Sequence, residues 1–265
     1  QQSNDEMNET INQQNQDNLE LRTLLEGLQL SLDDLDMELQ QSNDEMNETI
    51  NQQRQDLMDE INWVNNTVDW AYMDLSSADL SNAYMRYADL SYADLSYADL
   101  SYADLTGADL TGADLNGAAL VGADLNGTVL DSVLAISLQG CPTYLPTNWQ
   151  CVNNNLVGPY ADLYRAGLSF ADLTNADLTG AHLSNAYLSN ANLTGVNLSN
   201  ASLSNADLYN ANLTGVNLSN ASLSNADLTG ADLTGADLTG VNWNWATCPD
   251  GTAAYYHGQT CENNL

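Results

Sequence analysis

The side chains able to do chemistry in this chain are overwhelmingly carboxylates. Its 265 residues carry 36 Asp and Glu against four Arg and no Lys, a formal net charge of −32. Many of the aspartates occur in the phrase Ala-Asp-Leu at fixed intervals. Asp74, Asp94 and Asp114 follow one another at twenty residues, as do Asp104 and Asp124, Asp89 and Asp109, and Asp79 and Asp99. A backbone that stacks such positions at the strand spacing of about 4.8 Å makes their charges repel. Ca²⁺, which takes carboxylate oxygens at about 2.3–2.6 Å, would relieve that. Asp74, Asp94, Asp114, Asp104 and Asp124 are therefore the candidate metal ligands, against the plainer reading of a solvated acidic face. Further on, the series Asp172, Asn192, Asn212, Asp232 and Asp177, Asn197, Asn217, Asp237 place amides between charges and predict hydrogen-bonded ladders.

Other chemistry is sparse. His182 and His257 are the two histidines and lie in different parts of the chain, and serine belongs to the repetitive phrase with no base paired to it. The glycines of TGADLTGADL fall at regular corners and form no phosphate loop. No enzyme and no obligatory cofactor is expected. The charge argues against nucleic acid or an anionic membrane as partner, and no apolar run is long enough to span a bilayer. No signal peptide precedes Gln1, a start that suits a mature chain. Four cysteines form two close pairs, Cys141 with Cys151 and Cys248 with Cys261, leaving 9 and 12 residues between partners. Those intervals suit two local disulfides and an oxidising compartment better than a four-cysteine zinc site, which needs tighter pairs. Among the N-x-Ser/Thr sequons, Asn8, Asn47 and Asn65 stand outside the repetitive phrase and are the candidate glycan sites.

The element that must position these residues is a repeat. An apolar residue returns at every fifth position from Leu75 to Leu130 and again from Leu163 to Trp243, with only Met85 and Trp243 replacing Leu. Two places before each stands a residue that is usually Ala. The triplet Ala-polar-Leu alternates in, out, in, as a short strand does. The two residues that follow, Ser or Thr and then Gly or Asn, suit a tight turn with positive φ. The stretch 192–208 recurs unchanged at 212–228, which sets the coil at four pentapeptides. This pattern resembles the pentapeptide-repeat family, with its A-[DN]-L-[ST]-X signature, over most of 71–245. The resemblance implies an all-β right-handed quadrilateral β-helix, a solenoid of about 20 residues per coil. The ending CPDGT to CENNL also looks like the terminal cap of secreted members, which implies an exported protein.

The expected divisions are a coiled-coil arm (1–70), a first β-helical block (71–130), a disulfide-stapled insertion (131–160), a second block (161–243) and a disulfide cap (244–265). The insertion is expected because the centres at Leu130 and Leu163 are out of five-residue step, and because Pro142, Pro146 and Pro159 do not suit ladder interiors. An open solenoid end exposes its core and its strand edges, so Trp243 and Trp245 are expected to close the distal end. Tyr87, Tyr92, Tyr97 and Tyr102 take the last slot of four successive pentapeptides, one per corner of a coil. They form a candidate aromatic contact surface for a second chain or a glycan, or else a shield for the lower coils.

Residues 1–70 follow other rules. They hold no Pro and a single Gly, and apolar residues recur in alternating steps of four and three through Leu21, Leu25, Leu28, Leu32, Leu35 and Leu39. That is a coiled-coil seam, with Asn18 as a polar register position. QQSNDEMNETINQQ at 1–14 recurs at 40–53, an offset that keeps Met and Ile on the seam through one local unwinding. A helix of that length needs a partner, and identical chains supply the simplest one, as a dimer or trimer.

Three functions fit. The leading one is a non-enzymatic structural or adhesive fibre at the extracellular, cell or virion surface, self-associating through its stalk, with a glycan or cell-surface receptor as a further partner. The alternative comes from the family resemblance, since some members are acidic rods that mimic DNA and bind DNA gyrase. An ice-binding rod is weaker, because Thr alternates with Ser on most faces.

Overall fold

The computed structural model describes residues 2–67, 70–254 and 260–261; within the helix, the side chains of 2–12, 15, 17, 54–55 and 58–67 lie outside the description. The chain divides into two units, Gln1–Glu60 and Ile61–Leu265.

Helix α1 runs unbroken over Gln2–Thr67, 66 residues, or roughly 100 Å at 1.5 Å per residue. No proline interrupts it. Side-chain amides bind carboxylates one turn on: Gln29 donates to Asp33 at 3.1 Å, Gln41 to Glu45 at 2.9 Å and Gln52 to Asp56 at 2.7 Å. Such i, i+4 pairs each add a few tenths of a kcal/mol, roughly 0.2–0.5. The stripe Leu21, Leu25, Leu28, Leu32, Leu35, Leu39 is 53–66% exposed.

The second unit winds as a four-sided coil. Parallel bridges join each residue to the one twenty further on, as in Asp74 to Asp94 to Asp114 and Asn192 to Asn212 to Asp232. Each side is three residues long, so the strands are single rungs. Leu75 N–H donates to the Asp94 carbonyl at 2.8 Å, and Asp94 N–H donates back to Met73 at 2.9 Å. At each corner the chain closes a β-turn, for example Ala78 N–H to the Leu75 carbonyl at 3.1 Å. The last corner residue takes positive φ, near +60° even where it is Ser, Asn or Tyr. Inside, Ala and Leu alternate in layers that are almost all completely buried, with Met85 in one Leu slot at 3% exposure. Burying each Leu is worth about 1.5–3 kcal/mol, so stacked layers hold together a coil whose strands are too short to be stable alone.

The segment between the blocks differs from the expected 131–160 excursion. Val133 and Ala135 stay buried as a thirteenth inward pair, and Leu134 bridges directly to Asp162. Tyr144 still forms a rung on Asp124. The coil therefore runs on past 130, and here it steps 28 residues instead of 20. The eight added residues are absorbed by an antiparallel hairpin, β1 (Gln150–Val152) and β2 (Asn155–Val157), with Asn153 and Asn154 at positive φ in its turn. A two-residue turn of that hand suits a hairpin because it matches the twist of the strands. Cys141 and Cys151 are bonded across this excursion. Asn155, 2% exposed, pins it. Its Nδ2 donates to the carbonyls of Val152 (3.1 Å), Asn153 (2.9 Å) and Gly167 (3.3 Å), and its Oδ1 accepts from Ser137 N–H at 3.2 Å.

Each end of the solenoid carries a tryptophan. Trp243 fills an inward slot at 3% exposure, and Trp70, like Leu75, Leu80 and Ala83, is partly buried against the core of the first block. The Nε1 atoms of these two tryptophans are, among the described residues, the buried side-chain nitrogens without a partner. Trp245 is not part of the distal closure. It takes a corner position with φ +61° and is 65% exposed. Beyond Trp243 the chain turns back, with Thr247 antiparallel to Ala253 and Cys248 bonded to Cys261.

Candidate functional site

The outward slot is where any function of the solenoid must reside, because the inward slots are filled by core. The aspartates there do more than face water. Each Oδ1 turns along its own chain and accepts the backbone N–H two residues on: Asp94 from Ser96 at 3.0 Å, Asp104 from Thr106 at 3.0 Å, Asp114 from Asn116 at 2.8 Å, Asp124 from Asn126 at 2.9 Å. At Asp74 the Ser76 hydroxyl adds a bond of 2.7 Å, and at Asp172 the Thr174 hydroxyl one of 2.6 Å. This bond staples the first corner residue. Hydrogen bonds to the charged form hold the carboxyls of Asp74, Asp79, Asp89, Asp172, Asp232 and Asp237 below their usual range, the Ser or Thr hydroxyl contributing most and the backbone N–H next.

The carboxylate columns are in register, but they do not build a cation cage. Among the described residues no three acidic, histidine or cysteine side chains converge as metal ligands. Arg86 approaches Asp104 at 3.7 Å. In the second block amides link neighbouring coils, Asn192 Nδ2 to Asp172 at 3.2 Å and Asn217 Nδ2 to Asn197 at 3.1 Å. One corner column is pure Thr, but the hydroxyls of Thr174, Thr194, Thr214 and Thr234 all turn to the Oδ1 of their own face.

The tyrosine collar is half packed and half free. Tyr87, Tyr92, Tyr97 and Tyr102 are 53–65% exposed. Each ring lies against the glycine one coil on. A Cβ built on Gly107 or Gly112 would stand 2.6 Å from the ring of Tyr87 or Tyr92. Tyr72 stacks on Tyr92 with centroids 5.0 Å apart. Each ring thus covers backbone on one side, while Tyr92 also carries Tyr72 and Arg86 lies over the Tyr87 ring, 5.8 Å from its centroid. Of the candidate glycan sites, Asn47 is exposed on α1, while the side chains of Asn8 and Asn65 lie outside the described residues. The sequence reading passed over Trp70 and Asn155. It also passed over a break in the surface pattern, where Leu134 takes the outward slot held by Asp74, Asp94 and Asp114 in the coils before it and by Asp162 in the coil after it.

A quadrilateral parallel β-solenoid built of pentapeptides is the class of protein these rungs and corners define. The Pentapeptide repeats model matches in 8 copies, over 74–112, 93–131, 161–200 and 201–240. The chain belongs to the pentapeptide-repeat family, whose β-helix is right-handed and four-sided. Among solved structures it is similar to HetL, a pentapeptide repeat protein involved in heterocyst differentiation regulation in the cyanobacterium Nostoc, at 37% identity, covering 69% of this chain and 77% of that one with a TM-score of 0.37. A pentapeptide repeat protein of the Arabidopsis thaliana thylakoid lumen shares 27% identity, covering 52% of this chain and 66% of that one with a TM-score of 0.25. QnrB1, a plasmid-mediated fluoroquinolone resistance protein, shares 22%, covering 64% and 79% with a TM-score of 0.20. No curated protein matches the chain.

Proposed function

We propose that this chain is a non-enzymatic structural or adhesive fibre protein of the extracellular, cell or virion surface, self-associating through α1 as a coiled coil. The observation that carries this reading is the stripe Leu21, Leu25, Leu28, Leu32, Leu35, Leu39, which stays 53–66% exposed on an unbroken helix. A leucine seam of that length in water is stabilised by burial against a second helix, and an identical chain offers the same seam. The bonded pairs Cys141–Cys151 and Cys248–Cys261 support an oxidising compartment. The collar tyrosines, all more than half exposed, support a glycan or receptor contact. Sedimentation velocity on the full chain tests the reading. A dimer or trimer that Leu28→Lys with Leu32→Lys converts to monomer is the expected result, and a parent chain monomeric at micromolar concentration overturns it.

The second reading is an acidic rod that occupies the DNA site of an enzyme such as gyrase. The columns Asp74, Asp94, Asp114 and Asp104, Asp124 favour it, since their carboxylates stack in register as phosphates do. A gyrase supercoiling assay separates the two. The fibre reading expects no inhibition at micromolar chain.

A further inference from the structure

A repeat protein advertises a site where its surface stops repeating, and here several departures from two coils meet at one place. Leu134 stands in an outward slot otherwise acidic along the first block, and Ile136 stands where that corner elsewhere carries Ser76, Ser96 and Asn116. The 28-residue step across the hairpin sets them beside Asp162, Tyr164, Arg165 and His182. These six residues line an open groove of about 360 Å³, a volume at the lower end of small-molecule sites.

The polar side chains of the groove are already organised. Asp162 Oδ1 lies 3.1 Å from His182 Nδ1 and accepts the Tyr164 N–H at 3.0 Å. The Tyr164 and His182 rings stack at 5.7 Å. The Arg165 guanidinium lies over the Tyr164 ring, 5.1 Å from its centroid. Arg86, the other cation of the solenoid, meets Asp104, whereas among the described residues no carboxylate stands within ion-pair distance of Arg165. In a chain of net charge −32, this guanidinium thus has no acid partner among the described residues. The guanidinium is a planar fork of N–H donors that matches a carboxylate.

We propose that this groove binds a small carboxylate with an aliphatic or aromatic body. The body lies on Leu134 and Ile136, and the carboxylate meets Arg165. Asp162 also lines the groove, and its Oδ1 is already engaged by the Tyr164 N–H and His182 Nδ1. Repulsion from the rest of the acidic surface is screened beyond about 8 Å at 0.15 M salt, so the local guanidinium decides the sign of the interaction.

The experiment is a calorimetric and saturation-transfer titration of the full chain with hexanoate, hexanol and hexylamine at 0.15 M salt. Hexanoate is expected to bind saturably, about tenfold or more tighter than hexanol, the ratio that one charge-assisted contact supplies. Two substitutions restore what the repeat uses at the same places, which protects the fold. Arg165→Asn matches Asn185, Asn205 and Asn225 of its own corner column, all Asn and at positive φ. Leu134→Asp matches its face. Each is expected to abolish hexanoate binding with the melting curve retained, while Arg86→Gln leaves binding unchanged. Equal binding of hexanoate and hexanol, undiminished binding by Arg165→Asn, or no saturable binding at millimolar hexanoate each overturns the proposal.

Discussion

Asp114 shows why the residue before each central leucine is so often Asp or Asn. Its Oδ1 accepts the Asn116 N–H at 2.8 Å, so what the corner needs is an acceptor, and a charge is incidental. Asp114→Asn keeps that acceptor and removes one charge from a crowded column, so its melting temperature is expected to equal or exceed the parent's. Asp114→Ala loses the staple and costs about 1 kcal/mol, read by urea denaturation. The same bonds set the response to acid. Asp74, Asp79, Asp89, Asp172, Asp232 and Asp237 have folded-state carboxyls held below their ordinary range. Their contribution is therefore complete above the unfolded value of about 4 and is lost as pH falls through the folded one. Asp172→Asn is expected to lose less melting temperature than the parent between neutral pH and pH ~3, since an amide does not titrate there. Corner glycines can be tested in the same way. Gly112→Ala places a Cβ 2.6 Å from the Tyr92 ring at φ +66°, whereas at Gly127, φ +67°, nothing lies within 4 Å. Gly112→Ala should cost more than Gly127→Ala, and Tyr92→Ala should remove the difference in a double-mutant cycle.

Among the elements, the hairpin β1–β2 is the one that does not follow the repeat, and Asn155 is what holds it. Four hydrogen bonds converge on one buried amide and tie the hairpin to Gly167 in the next coil. Asn155→Asp replaces its donor group by a second acceptor facing three carbonyls, and Asn155→Ala leaves those carbonyls and the Ser137 N–H unpaired. Either change is expected to cost about 1–3 kcal/mol or more, whereas Asn154→Gly, in the exposed turn, costs little. Chemical denaturation distinguishes them. The disulfide Cys141–Cys151 closes a loop of sequence separation 10 around the same excursion. Replacing both cysteines by serine should lower stability by about 2–3 kcal/mol on the loop-entropy account, and amide exchange should rise first at 138–157.

For the whole molecule, the solenoid is a stack whose two ends are its exposed core, and both ends carry a tryptophan. Trp243→Ala is expected to cost about 3–5 kcal/mol, the usual range for emptying a buried aromatic site, and to promote end-to-end association visible by light scattering. Trp70→Ala should act in the same direction and less strongly, because Trp70 is only partly buried. Trp245→Ala, at a 65% exposed corner, should leave the melt unchanged. The acidic columns bear on the molecule as a whole through repulsion, with no convergent cation ligands among the described residues. Melting curves in EDTA and in millimolar Ca²⁺ are therefore expected to coincide, while added NaCl raises both by screening.

The sequence by itself determined the coil. Leu at every fifth position and the unchanged recurrence of 192–208 at 212–228 settle which side chains enter the core and which share a column, because a strict repeat converts spacing into contact without knowledge of the rest of the chain. The four cysteines were legible for a similar reason, each pair being local. Tertiary structure decided what is not periodic. The direction in which each Asp Oδ1 turns, the seating of Tyr92 on Gly112 and the packing of Trp70 depend on space left by a neighbouring coil. The 28-residue step across the hairpin could not be read from the 33 residues separating Leu130 and Leu163, since it is set by how Asn155 satisfies four backbone groups at once. That step alone brings Leu134 and Ile136 beside Tyr164, Arg165 and His182, so the groove exists only in the folded register and has no signature in the linear repeat.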